Sequence, residues 1–178
     1  MNIKLEIGNL EKIRDINPRL VSYNVEMTEV TGGTFWKAYT PEQIAGTEPF
    51  VGLKDFRDMS ALMQVYDPVN LYDEKLRTLA KGLGKSWVRV SGTWATKTYY
   101  DFANEYPAGP APEGYQNVLK KEQWINLLNF VKSVNGRLKI SVANCDGLHT
   151  HDEPWNPSQA KLIFDLSREH GVPIEAVE

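Results

Sequence analysis

The chain has 178 residues, of which 42% are hydrophobic and 24% charged, with a formal net charge of -3. That length fits one domain of ordinary size, the composition excludes a wholly disordered chain, and the charge balance gives no nucleic-acid footprint. The single cysteine, Cys145, excludes an intrachain disulfide. No apolar run reaches the ~18 residues of a membrane span, so no membrane partner is expected. Residues 1–6 lack the hydrophobic segment of a signal peptide. A cytoplasmic protein and a secreted one whose signal has been removed both stay open.

In chain order, Ile3, Leu5 and Ile7 alternate with polar residues and predict a short strand. A second strand is expected after the Gly8-Asn9 turn, and Asn17-Pro18 punctuates the chain. Residues 1–17 read as an appendage to a main domain at 18–178. Residues 20–27 predict a strand. Residues 71–84 predict a helix, with Leu76, Leu79, Ala80 and Leu83 at helical spacing and Gly84 near its stop. A strand follows at 87–91. At 120–134, Trp124, Leu127, Leu128, Val131 and Val134 fall on one helical stripe. Residues 138–144 predict a strand. Asn156 is the expected N-cap, and Pro157 the first residue, of a helix that reaches His170 and is stopped by Gly171. A last strand is expected at 174–178. Strands alternating with helices predict an α/β fold with a parallel sheet.

The helix-to-strand links are short, at 85–86, 135–137 and 172–173. The strand-to-helix links are long, at roughly 28–70, 93–119 and 145–155, and long links of this kind are functional or hide further elements. A helix at 53–65 is one such element. The long links all leave the carboxyl ends of the strands, where α/β sheets place their ligands. No Gly-x-Gly-x-x-Gly run occurs, and Gly84-Lys85-Ser86 precedes a strand, so no nucleotide cofactor is expected. Polar residues end every strand: Glu26, Ser91, Asn144 and Glu178. That pattern favours the first half, about four strands, of a (β/α)8 barrel of the TIM type.

Candidate chemistry sits at these ends. Glu26 suits an acceptor for ring hydroxyls or a structural ion pair. After Ser91, Gly92 permits a tight turn, and Thr93 and Trp94 bring a hydroxyl and an indole to the rim; Trp94 is a stacking platform or a cap on the core. Trp94, Tyr99, Tyr100, Phe102, Tyr106 and Tyr115 suit a carbohydrate or peptide surface, or a satellite core. Lys97 is the only basic residue among them, which disfavours single-stranded nucleic acid. Asn144 and Asp146 suit orientation of a substrate hydroxyl, and Asp146-Gly147 suits a turn equally. Cys145 near His149 and His151 raises a nucleophilic pair, against the commoner buried small Cys. The two histidines with Asp152 raise a metal site, but they follow the strand in a loop, and no metal is expected. His170 at a helix C-terminus is explained by the dipole.

Several blocks together resemble a known family. Val21-Ser22-Tyr23-Asn24-Val25-Glu26, Lys75-Leu76-Arg77-Thr78-Leu79-Ala80-Lys81-Gly82-Leu83 and Val88-Arg89-Val90-Ser91-Gly92-Thr93 look like the amino-terminal half of the heparanase and β-glucuronidase family of glycoside hydrolases, family 79. Ala143-Asn144-Cys145-Asp146-Gly147-Leu148 and Trp155-Asn156-Pro157-Ser158-Gln159-Ala160-Lys161-Leu162 continue the resemblance in order. It implies a retaining hydrolase on a (β/α)8 barrel, with an accessory β-sandwich to which residues 3–16 contribute. It implies an oligosaccharide or glycoside substrate, no cofactor, and the remainder of the barrel and sandwich as structural partners. Glu26 then borders the glycone pocket, and Gly92-Thr93 binds the sugar carboxylate. Trp94-Ala95-Thr96 stands where such members tend to have Lys-Thr-Asp, which leaves uronate and neutral sugars both open. The acid/base Glu of the family lies in an Asn-Glu-Pro motif, which this chain lacks. That Glu and the nucleophile are expected beyond Glu178, itself a strand residue, so the chain alone is expected to be inactive. The competing expectation is a non-catalytic carbohydrate-binding or interaction module using the aromatic-rich loops.

Overall fold

A computed structural model describes residues 8, 10–50, 52, 55, 59–106 and 110–178. The strand expected at 3–7 lies outside these residues. Residues 10–16 form no strand, and Ile13 there is 94% exposed.

The elements run in chain order as β1 (Ser22–Glu26), α1 (Met27–Thr31), β2 (Gly33–Trp36), α2 (Pro41–Ile44), β3 (Met63–Tyr66), α3 (Glu74–Gly82), β4 (Trp87–Ser91), β5 (Thr98–Asp101), β6 (Asn117–Lys120), α4 (Lys121–Ser133), β7 (Arg137–Ile140), α5 (Ser158–Glu169) and β8 (Ile174–Val177). Strands β1, β4, β7 and β8 form one parallel sheet in that order, level at Asn24, Arg89 and Lys139. Between β7 and β8 the register shifts: Leu138 pairs with Ile174, but Lys139 pairs with Ala176.

The expected elements of this sheet are present with trimmed ends. The first strand stops at Glu26 because Met27 already opens α1. Helix α3 starts at Glu74, since the Asp73 carboxylate accepts the Leu76 N–H at 2.7 Å and caps it. The third strand ends at Ile140, not Asn144, although the Ser141 N–H still donates to Val90. At α5 the cap position belongs to Pro157 rather than Asn156. Proline has no side-chain acceptor, and the Asn156 Oδ1 takes the Ser158 N–H at 2.9 Å instead.

The long segments are not bare loops. In 28–70, β2 and β3 pair antiparallel from Gly33↔Tyr66 to Trp36↔Met63. The helix expected at 53–65 is replaced, where described, by a 3-10 turn at Ser60–Leu62 and by β3. In 93–119, β5 and β6 form a parallel pair.

One face of the main sheet carries the core. Val25, Val88, Val90, Leu138 and Ile140 pack with Trp124, Leu127, Leu128 and Val131 of α4 and Ile163 and Leu166 of α5. Each such side chain stabilises the fold by about 1.5–3 kcal/mol on burial. The buried Trp124 indole donates to the Ser167 hydroxyl at 2.9 Å, so its one polar atom is satisfied. The stripe expected on α4 is buried throughout. On α3 only Ala80 is buried; Leu79 and Leu83 are exposed and line an apolar groove of about 410 Å³ with Tyr23, Leu71 and Phe130. The other face of the sheet is polar, and Ser22, Trp87, Arg89, Lys139 and Ala176 border one cavity on it. Strand order follows chain order without a reversal, unlike a doubly wound sheet.

Candidate functional site

Period-two alternation sends every second residue of each strand to the polar face. That face carries Asn24 and Glu26 from β1, Arg89 and Ser91 from β4, Lys139 from β7, Ser141 just beyond it, and Glu178 after β8. They are joined. The Asn24 amide donates to Glu26 Oε1 at 2.6 Å, and its Oδ1 accepts from Arg89 Nη1 at 2.8 Å and Ser91 Oγ at 2.6 Å. Arg89 forms an ion pair with Glu178, and Lys139 reaches the same carboxylate at 2.9 Å. The Ser141 hydroxyl adds a third contact at 2.9 Å. The Arg89 hydrogen bond, outweighing desolvation and assisted by Lys139 and Ser141, holds the Glu178 carboxyl down at about 2. A carboxyl held there stays ionised near neutrality and has no proton to give.

Glu26 closes β1 while its backbone N–H donates to the Glu29 carboxylate at 2.7 Å. Its carboxylate lies directly over Gly92, which has φ +95°; a Cβ at this position would collide with it. Glycine is thus required at 92 for both the backbone angle and the close approach. Neither the Gly92 nor the Thr93 N–H donates to a partner among the described residues. A carboxylate with spare lone pairs thus lies beside free backbone donors and the Thr93 hydroxyl, a set that suits a polyhydroxylated ligand. Trp94 is half-buried, meets Phe35 edge-on at 5.3 Å and packs against the core, so it is a wall of the rim rather than a free platform.

Asn144 and Asp146 are exposed in the turn after β7, four and six residues past its end. The strand-end place expected for Asn144 belongs to Ser141. The Asn144 N–H donates to Thr96 at 2.8 Å and ties this turn to the one after β4. Its Oδ1 meets His149 Nε2 at 3.0 Å; an amide oxygen only accepts, so Nε2 carries the proton. His149 is therefore bound to Asn144, not to Cys145. Burial, with the Asp146 charge beside it, pushes the Cys145 thiol up, opposite to what a nucleophile needs. Among the described residues no three His, Cys, Asp or Glu side chains are grouped to hold a metal ion.

The aromatic segment is largely spent on the fold. Tyr100 is buried, its hydroxyl accepts the Ala143 N–H at 3.1 Å, and its own N–H donates to Gln159 at 2.6 Å. Phe102 and Tyr115 pack on the core, and Tyr99 meets Tyr106 and Tyr115 edge-on. The buried Asp101 accepts from the Glu105 and Tyr106 N–H groups and from Lys120, which pins the segment.

Asn24, Arg89, Lys139 and Ser141 were not among the residues expected from sequence. Their signal is the alternation Ser22-Asn24-Glu26, Trp87-Arg89-Ser91 and Arg137-Lys139-Ser141 within strands otherwise filled by core residues. Among the described residues no helix is long and apolar enough to cross a membrane. Compared with known proteins, the chain matches no family model and no curated protein.

Proposed function

We propose that the four parallel strands are the first half of a (β/α)8 barrel and that the chain supplies the glycone-side rim of a retaining glycoside hydrolase of the heparanase and β-glucuronidase kind. The observation that carries this reading is the Glu26 carboxylate, seated over Gly92 at the carboxyl edge of a sheet whose other face is polar. A helix layer on one face and a joined polar face on the other suit a barrel wall, with the ligand at the carboxyl ends of the strands. The exposed apolar residues Leu10, Ile13 and Ile16 suit a segment that packs in an accessory sandwich.

In this mechanism one Glu protonates the glycosidic oxygen and then deprotonates water, while a second, its carboxyl about 5–5.5 Å from the first, attacks the anomeric carbon. Glu26 accepts hydrogen bonds from glycone hydroxyls, with Gly92 and Thr93 as the facing donors. Glu178 is not the acid: a general acid needs a raised pKa, and this one is held low. The acid/base and the nucleophile belong to further strands of the barrel. The rings of 94–115 pack largely on the core and on each other, which disfavours that segment as the platform of a binding module.

The 178-residue chain is expected to give no turnover on aryl β-glucuronides or β-glucosides. The full product of its reading frame should hydrolyse one of them with retained anomeric configuration. Turnover by the 178-residue chain alone, or inversion by the full product, would refute the proposal.

A further inference from the structure

We propose that the excursion between β1 and α3 builds a second carbohydrate site, a cleft in which a neutral pyranose ring stacks on Trp36. The choice of a glycan as ligand rests on the hydrolase reading above; the cleft itself does not. It has a volume of about 540 Å³, and its walls include Trp36, Tyr39, Thr40, Gln43, Glu48 and Phe50. Among the described residues three aromatic rings line it and remain 41%, 66% and 60% exposed at Trp36, Tyr39 and Phe50. A soluble chain gathers exposed aromatics around one cavity where a ligand is to cover them. Tyr39 and Phe50 brace each other edge-on at 4.9 Å, so the rings are set before any ligand arrives.

The polar groups of the cleft are half-used. Gln43 spends Oε1 on the Thr40 N–H at 3.0 Å, which leaves its amide donor free among the described residues. Glu48 spends Oε2 on the Thr40 hydroxyl at 3.0 Å, which leaves Oε1 as an acceptor. A free donor and a free acceptor beside aromatic faces match the hydroxyls and the C–H face of a pyranose. The same carboxylate disfavours an anionic sugar, and Lys37, the one ammonium among the described lining residues, is engaged by the Ala61 carbonyl at 3.1 Å.

A second cavity of about 160 Å³ shares Trp36 as a wall and is bordered by Thr28, Glu29 and Tyr66. Thr28 is 3% exposed, and its hydroxyl has no hydrogen-bond partner among the described residues. A buried unpaired hydroxyl is costly unless something meets it. Thr28 lies two residues after Glu26, and Phe35, beside Trp36, touches Trp94 on the rim. The two cavities share the Trp36 indole, one residue from the Phe35 ring that meets Trp94. Trp36 is the anchor of a distal saccharide unit.

The test titrates the 178-residue chain with cellotetraose, xylotetraose and a β-linked galactotetraose. Tryptophan fluorescence and indole N–H shifts are the readouts, and Trp36→Phe assigns the responding ring. Saturable binding to at least one sugar is expected, with the Trp36 indole shifting. Trp36→Ala and Tyr39→Ala should each weaken it about 10-fold or more, and Glu26→Ala by no more than about twofold. Tyr39 is mostly exposed, so its replacement keeps the test valid if Trp36→Ala fails to fold. Absence of saturable binding to all three sugars overturns the inference. Binding that depends on Glu26 but not on Trp36 or Tyr39 also overturns it, while leaving the hydrolase reading intact. Absence of glycosidase activity from the full reading frame removes that reading and leaves Trp36-dependent binding to stand.

Discussion

At Glu178 one carboxylate faces the Arg89 guanidinium, the Lys139 ammonium and the Ser141 hydroxyl, and its pKa falls from an ordinary 4.5 to about 2. A depressed carboxyl contributes stability that is full above its unfolded value and is lost as pH falls through its folded value. Glu178→Gln should therefore be less stable than the parent at neutral pH, and the gap should close between about pH 4.5 and about pH 2. The side chain keeps 27% of its exposure, so solvent screening makes the gap small. Urea midpoints across that range measure it, and a gap constant with pH would contradict the ion-pair account. Tyr100 offers a larger effect. Tyr100→Phe deletes only the oxygen that accepts the Ala143 N–H and strands a buried donor. The expected loss is about 1–3 kcal/mol by urea denaturation. An unchanged midpoint would show that the hydroxyl does not hold the turn after β7.

Among the elements, α3 depends on its cap. Its outer leucines are unburied, so tertiary contacts support it less than they support α4. Asp73→Ala should cost about 1 kcal/mol, and Asp73→Ser should recover most of it, read from thermal melts. This ranking of the helices follows from which residues have neighbours, and sequence alone misses it. On α4 the spacing of Trp124, Leu127, Leu128, Val131 and Val134 was sufficient, because a long apolar stripe has one way to be buried. On α3 the same spacing gave the helix but not its burial, because Leu79 and Leu83 face an open groove. The hairpin β2–β3 was illegible for another reason: its strands are four residues each and separated by a long excursion, so neither has a local signal for its partner. The site divides similarly. Glu26 and Gly92 were legible because polar ends on apolar strands stand out. The Asn24–Arg89–Glu178 chain was not, since it depends on which residues register brings level.

At the scale of the whole molecule, the sheet has two open sides among the described residues. Among the described residues β1 and β8 each pair along one edge only, and the groove beside β1 is apolar. Unpaired edges recruit further strands, and barrels remove them by closing. The 178-residue chain should therefore self-associate, with a sedimentation coefficient that rises with loading concentration. A concentration-independent monomer with a cooperative melt would show that the edges are already protected. The order of the four main-sheet strands and the helices α3, α4 and α5 was legible in the sequence because alternation is local.

The register shift between β7 and β8 gives the last strand two obligations that a regular strand cannot meet. Ile174 and Ala176 are two residues apart, and in an unbroken strand they would share a side. Yet Ile174 packs against the core, whereas Ala176 borders the polar cavity with Arg89 and Lys139. The surplus residue puts the strand out of phase with itself midway. Its first half serves packing and its second half serves charge. Ironed flat, the strand would bury Ile174 and turn the carboxylate at 178 onto the helices, or keep that carboxylate beside Arg89 and push Ile174 into water. The charged row across the sheet thus hangs on one irregular step in its outermost strand.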